Sequence, residues 1–169
     1  FNNCNCPSWY IFDAFIKTSE YTVCGFSYGA IKAFEHVKKE LENSSRIDTL
    51  QLFSPAFFQN KSDKFKRLQT LSYTKSNEKY ISQFIEGCFH PYEHKELQHI
   101  ATSLEELEEL LYYEWDLDTL KYIEEKGVVI EVYLGGEDKI IDAFVAQEFF
   151  LEVATLTYVK NANHFLQIK

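Results

Sequence analysis

Residues 25–29 read Gly-Phe-Ser-Tyr-Gly, and they leave a short apolar run, Tyr21 to Cys24, and enter a helical pattern with no loop between. A serine at so sharp a strand-to-helix turn is forced into a strained backbone conformation, which lifts its hydroxyl clear of the sheet. The two flanking glycines leave room for strand and helix to meet closely. Downstream, Ala30, Ile31, Ala33, Phe34, Val37 and Leu41 form one apolar stripe at helical spacing, with Lys32, Glu35, Lys38 and Lys39 mostly on the other face. A glycine-flanked serine also occurs in turns that have no chemical role, so the rest of the chain has to decide its meaning.

Two later strand ends carry matching residue types. Residues 128–134, Val-Val-Ile-Glu-Val-Tyr-Leu, form a β-branched run typical of a buried parallel strand, and they end in Gly135-Gly136-Glu137-Asp138. A helix is predicted at about 140–152, then a strand over Thr155–Val159, then a loop carrying His164. Ser27, Asp138 and His164 thus each follow a predicted strand, in the order serine, acid, histidine that a hydrolase built on this kind of turn requires. A serine hydroxyl is a poor nucleophile at neutral pH, so an imidazole must take its proton as it attacks an acyl carbon. A carboxylate holds that imidazole in the right tautomer, and preorganised N–H donors stabilise the oxyanion. The backbone N–H of Tyr28, the residue after the serine, is one expected donor.

The stretch Cys24–Phe34, Leu-Phe-Ser-Pro at 52–55, Ser-Leu-Glu-Glu-Leu-Glu at 103–108, Glu-Asp-Lys-Ile at 137–140 and the run Asn163-His164-Phe-Leu-Gln together resemble the short pimeloyl-[acyl-carrier-protein] methyl ester esterases of biotin synthesis, the Helicobacter type often called BioV. The resemblance runs over essentially the whole chain. It implies an α/β-hydrolase that cleaves the methyl ester of pimeloyl-acyl-carrier protein, with Ser27 as nucleophile, Asp138 as triad acid and His164 as base. The family has a glycine-rich turn after its first strand, whose aromatic N–H completes the oxyanion hole. Here that turn reads Asn2-Asn3-Cys4-Asn5-Cys6, and Cys4 matches the donor position. Asparagine tolerates left-handed backbone better than most residues, which favours survival of the turn.

The expected organisation is a single α/β domain over residues 1–169, a mostly parallel sheet with helices on both faces. A first loop, a short helix near 8–17, the serine strand and its helix precede a strand at about 48–53, which Pro55 ends. Residues 56 to about 113 contain no convincing strand and read as several helices, a lid inserted after the strand that ends near Ser54. A helix at about 116–126, closed by Gly127, returns the chain to the sheet. Phe57, Phe58, Phe65, Leu68, Leu71, Tyr73, Tyr80, Phe84 and Phe89 make the lid region apolar, and a few of them are expected to line an acyl channel.

With 169 residues, 46% of them hydrophobic, the chain can bury a substantial core. No apolar stretch approaches the roughly 20 residues that a membrane crossing needs, and no secretory signal is visible. A cytoplasmic protein without membrane or nucleic-acid partners is expected. The absence of methionine predicts that some residues precede Phe1. Cys4, Cys6, Cys24 and Cys88 lack the spacing of a disulfide framework and read as free thiols. Cys88, His90, His94 and His99 lie close in sequence, yet Pro91 predicts that a helix only begins there, and no second ligand pair stands at zinc-like spacing. No metal or cofactor is expected, and His36 reads as a surface residue.

The net charge is −9, while acyl-carrier proteins are themselves strongly acidic, so docking requires a local basic patch. Lys61, Lys64, Lys66 and Arg67 are the densest candidates, with Lys32, Lys38 and Lys39 as a second set. A solvated helix face explains either set equally well. Glu105, Glu106, Glu108 and Glu109 alternate with leucines and read as the wet face of an amphipathic helix. Three other readings stay open on sequence: cleavage of the thioester, hydrolysis of small esters without a carrier, and a non-catalytic acyl-carrier-protein binder whose oxyanion loop has decayed.

Overall fold

A computed structural model describes residues 15–17, 19–95 and 102–168 of the chain. Four parallel strands form one sheet: β1 (Thr22–Phe26), β2 (Thr49–Phe53), β3 (Val129–Gly135) and β4 (Thr155–Val159), lying side by side in chain order. Helix α1 (Tyr28–Glu42) joins β1 to β2, α5 (Leu117–Glu125) leads into β3, and α6 (Ala143–Phe150) joins β3 to β4. Between β2 and α5 lie α2 (Asp63–Lys75), α3 (Asn77–Phe89) and α4 (Leu104–Tyr112). Apart from a helix start at Pro91, the helices and strands expected from residue 21 onward are present, with ends shifted by a few residues. The helix expected near 8–17 falls mostly outside the described residues, and residues 15–17 are not helical.

Because the strands run in chain order without a reversal, right-handed crossovers place α1, α5 and α6, the helices next to the strands, on the same face. The main core agrees: Ile31, Phe34 and Val37 of α1, Leu120 and Ile123 of α5, and Ala146 and Phe150 of α6 pack with Leu50, Leu52, Ile130 and Val132 of the sheet. The opposite face is covered by a helix of the long segment inserted between β2 and α5 and by chain before β1 and after β4. Phe84, Ile85, Cys88 and Phe89 of α3, with Phe15, Ile16, Phe165 and Leu166, cover Phe26, Phe53 and Tyr133. Polar residues share that face. Buried Gln51 donates to the Phe15 carbonyl at 3.0 Å and to Glu131 at 2.9 Å, and Lys17 donates to the same carboxylate.

Steric crowding at the turn from β1 to α1 is one-sided. A Cβ on Gly25 would sit 2.1 Å from the Gly29 carbonyl oxygen, whereas one on Gly29 would meet nothing within 4 Å. The sequence expectation that both glycines are needed for close packing is therefore corrected: Gly25 supplies the space, and Gly29 only presents its backbone to it. Gly25→Ala is expected to destabilise the fold by about 3 kcal/mol, because backbone rather than a movable side chain blocks the new methyl. Gly29→Ala is expected to be neutral or stabilising by up to about 1 kcal/mol, through helix propensity. Urea denaturation of the two variants measures this, and equal losses would remove the one-sided contact.

Candidate active site

Parallel strands present all their carboxyl ends at one edge, and three of the loops leaving that edge meet there. Ser27 follows β1 directly, with φ 51° and ψ −117°. Its N–H donates to the Phe53 carbonyl at 2.9 Å, and its own carbonyl accepts from Ala30 and Ala56, both at 3.1 Å. The backbone is thus held from β2 on one side and from the following helix on the other. Such a conformation costs an L-residue about 1–3 kcal/mol. Although Ser27 occupies the cap position of α1, its side chain makes no capping bond. The hydroxyl instead meets His164 Nε2 at 3.0 Å.

His164 Nδ1 lies 2.6 Å from Asp138 Oδ2. With Nδ1 donating to the carboxylate, Nε2 is left as an acceptor for the Ser27 hydroxyl. The other Asp138 oxygen, Oδ1, accepts from the backbone N–H of Ile140 at 2.7 Å and Ile141 at 3.1 Å, so this carboxylate cannot rotate freely. Both the His164 and Asp138 side chains are fully shielded from solvent. The neighbouring acids serve elsewhere. Glu137 points outward beside Lys139, at 4.0 Å, and Asp142 caps α6 by accepting from Val145 N–H at 3.2 Å.

Two features bring the acid turn and the histidine loop together. A Cβ on Gly135 would stand 2.3 Å from the Asn163 carbonyl oxygen and 2.5 Å from that of Ala162, so a glycine is required where the loops touch. Asn163, fully buried, then organises the loop. Its Oδ1 accepts from Phe165 and Gln167 N–H, each at 3.0 Å, and its Nδ2 donates to the Phe89 carbonyl at 2.8 Å. The Phe26 ring, 5.1 Å from the imidazole, packs against His164. Asn163 is a site-shaping residue whose role spacing alone did not reveal; an asparagine directly before the histidine was the available signal.

The oxyanion donors are only partly described. Tyr28 is the first residue of α1, where a backbone N–H has no acceptor within its own helix. The helix N-terminus adds favourable partial charge for an anion there. Cys4, the other expected donor, lies outside the described residues, as does Cys6.

Helices α2, α3 and α4 and the segment after Asp138 border a half-open cavity of about 420 Å³. Phe58, Phe65, Tyr80 and Phe84 line it with Leu110, Leu111, Lys139 and Ile140, and Gln69 and Gln83 add amide groups. Burial pushes the Tyr80 hydroxyl up to about 12, so it stays a protonated donor at neutral pH. The other aromatics expected over the channel divide differently. Phe57 packs on Phe149 and Phe150 in the main core, and Phe89 belongs to the second cluster. Leu68 and Leu71 are exposed on α2.

Three expectations need correction. Lys66 is not part of a surface patch: it is 5% exposed, with its ammonium 5.1 Å from the Tyr112 ring centroid, because its stem lies between α2 and α4. Glu109 is not merely a wetted helix residue, since it accepts from the Tyr28 hydroxyl and from Lys32. No helix begins at Pro91. Helix α3 ends at Phe89, and residues 90–95 are non-helical. Among the described residues no group of three His, Cys, Asp or Glu side chains could hold a metal, and His99 lies outside them. Burial, with Asp138 nearby, pushes the Cys88 thiol up, so it is protonated and inert as a nucleophile. Neither Cys24 nor Cys88 forms a disulfide among the described residues.

If the Ser27 backbone is strained as its φ indicates, Ser27→Gly should stabilise the fold by about 1 kcal/mol, the strain relieved less the added chain entropy. Equilibrium unfolding in urea measures this, and a loss of stability would show that the turn is relaxed.

No family model and no curated protein matches the chain in sequence. Solved structures do match. A bromoperoxidase from Bacillus anthracis superposes with a TM-score of 0.64 and 12% identity, over 86% of this chain and 60% of its own. Naproxen esterase (carboxylesterase NP) from Bacillus subtilis matches at a TM-score of 0.56 and 18% identity, over 99% of this chain and 63% of its own. BioG from Haemophilus influenzae matches at a TM-score of 0.53 and 8% identity, over 85% of this chain and 66% of its own. This chain therefore spans about 60% of the length of the first two. At such identities the likeness speaks for the fold, and with the parallel sheet and its helices it shows that the chain has the α/β-hydrolase fold.

Proposed function

We propose that this chain is a serine carboxylesterase that hydrolyses the methyl ester of a pimeloyl chain borne on acyl-carrier protein, releasing methanol. The observation that carries the reading is the hydrogen-bonded line from Ser27 through His164 to Asp138, buried at the carboxyl edge of the sheet. His164 takes the Ser27 proton as Oγ attacks the ester carbonyl, Asp138 stabilises the resulting imidazolium, and the Tyr28 N–H faces the oxyanion. Collapse of the tetrahedral intermediate expels methanol, protonated by His164. Water, deprotonated in turn by His164, then resolves the acyl-enzyme to the free carboxylate.

Three features support the carrier-bound substrate. The sequence stretches that resemble the pimeloyl-[acyl-carrier-protein] methyl ester esterases run through the elbow, the acid turn and the histidine loop. The cavity, reached by Lys139 and Ile140 just after Asp138, combines aromatic walls with amide groups, which suits an apolar chain on an amide-bearing arm. On α2, exposed Lys64 and Arg67 share a helical face with the exposed apolar side chains of Leu68 and Leu71. That cationic and apolar stripe fits an acidic partner and offsets the net charge of −9. Lys61, just before α2, is half-buried, and buried Lys66 does not contribute. Among the described residues no helix is long and apolar enough to cross a membrane.

Intact mass of the carrier after incubation with enzyme tests the substrate. A carrier lighter by one methylene and still acylated is expected, whereas release of free holo-carrier would replace the reading with thioester cleavage. Ser27→Ala should abolish turnover with the fold intact. Asp138→Asn should lower kcat by about 10⁴, because it favours the wrong imidazole tautomer. Near wild-type rates in either variant, followed by methanol release, would remove that residue from the mechanism.

A further inference from the structure

We propose that Glu109 and Lys32 are positioning residues that hold the Tyr28 side chain, and through it the oxyanion donor at the start of α1, against the lid helix α4. The inference rests on the hydrolase reading above and adds to it a coupling between the wall of the acyl cavity and the reacting centre.

The first turn of α1 is held by backbone bonds but lacks the usual side-chain restraints. It contains no acidic residue, and Ser27 makes no side-chain cap. A different device occupies the place of a cap. The Tyr28 hydroxyl donates to the Glu109 carboxylate, and Lys32 Nζ donates to both oxygens of that carboxylate, at 2.9 and 3.0 Å. The same ammonium lies 4.7 Å from the Tyr28 ring centroid. Each of the three groups thus touches the other two. An exposed lysine–glutamate pair alone contributes little, but here the phenol it holds also packs against the main core. The ionisation states agree with the geometry. Burial and then Glu109 raise the Tyr28 phenol, while bonds from Tyr28 and Lys32 hold the Glu109 carboxyl below its ordinary value.

A second tie follows along the same helical face. The Tyr113 hydroxyl donates to Glu35 at 2.6 Å, seven residues on from Tyr28. Just beyond, Trp115 Nε1 donates to the Ala56 carbonyl at 2.8 Å, and Ala56 N–H donates to the Ser27 carbonyl at 3.1 Å. Glu109 on α4 and the segment just after α4 are therefore tied to α1 and to Ala56, while Leu110 and Leu111 beside Glu109 line the cavity. Seating α4 sets both the cavity wall and the direction of the Tyr28 peptide.

Fluorophosphonate labelling of Ser27 and hydrolysis of p-nitrophenyl butyrate test the proposal without a carrier protein. Glu109→Ala and Tyr28→Phe should each slow labelling by about tenfold, the scale of a slightly misplaced catalytic group. The double variant should be no slower than Glu109→Ala, as members of one unit are not additive. The loss should fall on kcat with KM within about twofold, and Glu108→Ala, outside the triangle, should label like the wild type. If wild type labels and Glu109→Ala labels equally fast, or if only melting temperature falls, the positioning role is overturned and the hydrolase reading stands. A wild-type Ser27 that never labels overturns both.

Discussion

Everything at the candidate site depends on how closely the first turn of α1 approaches β1. The chain leaves a strand and enters a helix at a single residue, which is possible only because the Gly25 hydrogen lies where any side chain would strike the Gly29 carbonyl. The consequence is carried by the next residue but one. Ser27 takes a positive φ and loses the option of capping its helix, and its hydroxyl is left for His164. A helix that meets its strand this way also points its N-terminus, with its unpaired N–H groups, at the same spot.

The sheet supplies the second constraint. In-register parallel pairing aligns Phe26 with Phe53 and Phe53 with Tyr133, so β1 and β2 end at one level, while β3 runs two residues further, to Gly135, before its loop begins. The end of β2 is thereby part of the site although it contributes no member of the serine–histidine–acid line. Its Phe53 carbonyl holds the Ser27 N–H. Next to it, Ser54 has φ 39°, is fully buried, and its Oγ has no hydrogen-bond partner among the described residues. A polar edge of this kind is tolerated because backbone bonds on both sides over-determine the conformation.

Burial of the His164–Asp138 pair carries a desolvation cost that only well-directed bonds offset. Two backbone donors on Asp138 Oδ1 and the Asn163 network beneath the histidine loop provide those bonds. Aromatic packing completes the support. Phe26 stacks on Phe165 at 5.1 Å, and Phe165 meets Phe89 at the end of α3 at 4.6 Å, so the inserted helices also brace the histidine loop.

By itself the sequence determined the features that local pattern sets: the strained serine turn, the alternation of strands and helices, and an acid and a histidine each placed just after a strand. Those properties reside in spacing and in glycine, and both are visible along the chain. Tertiary structure decided what depends on who sits beside whom. It selected Asp138 over Glu137 and Asp142, because only its carboxylate is turned toward the imidazole by the Ile140 and Ile141 amides. It buried Lys66 within a cluster that reads as uniformly basic, and it joined Glu109 to Tyr28 across 81 residues of chain. Helical periodicity says which face of α4 is polar but not what that face meets, because packing of one helix on another is a long-range choice that a single segment does not encode.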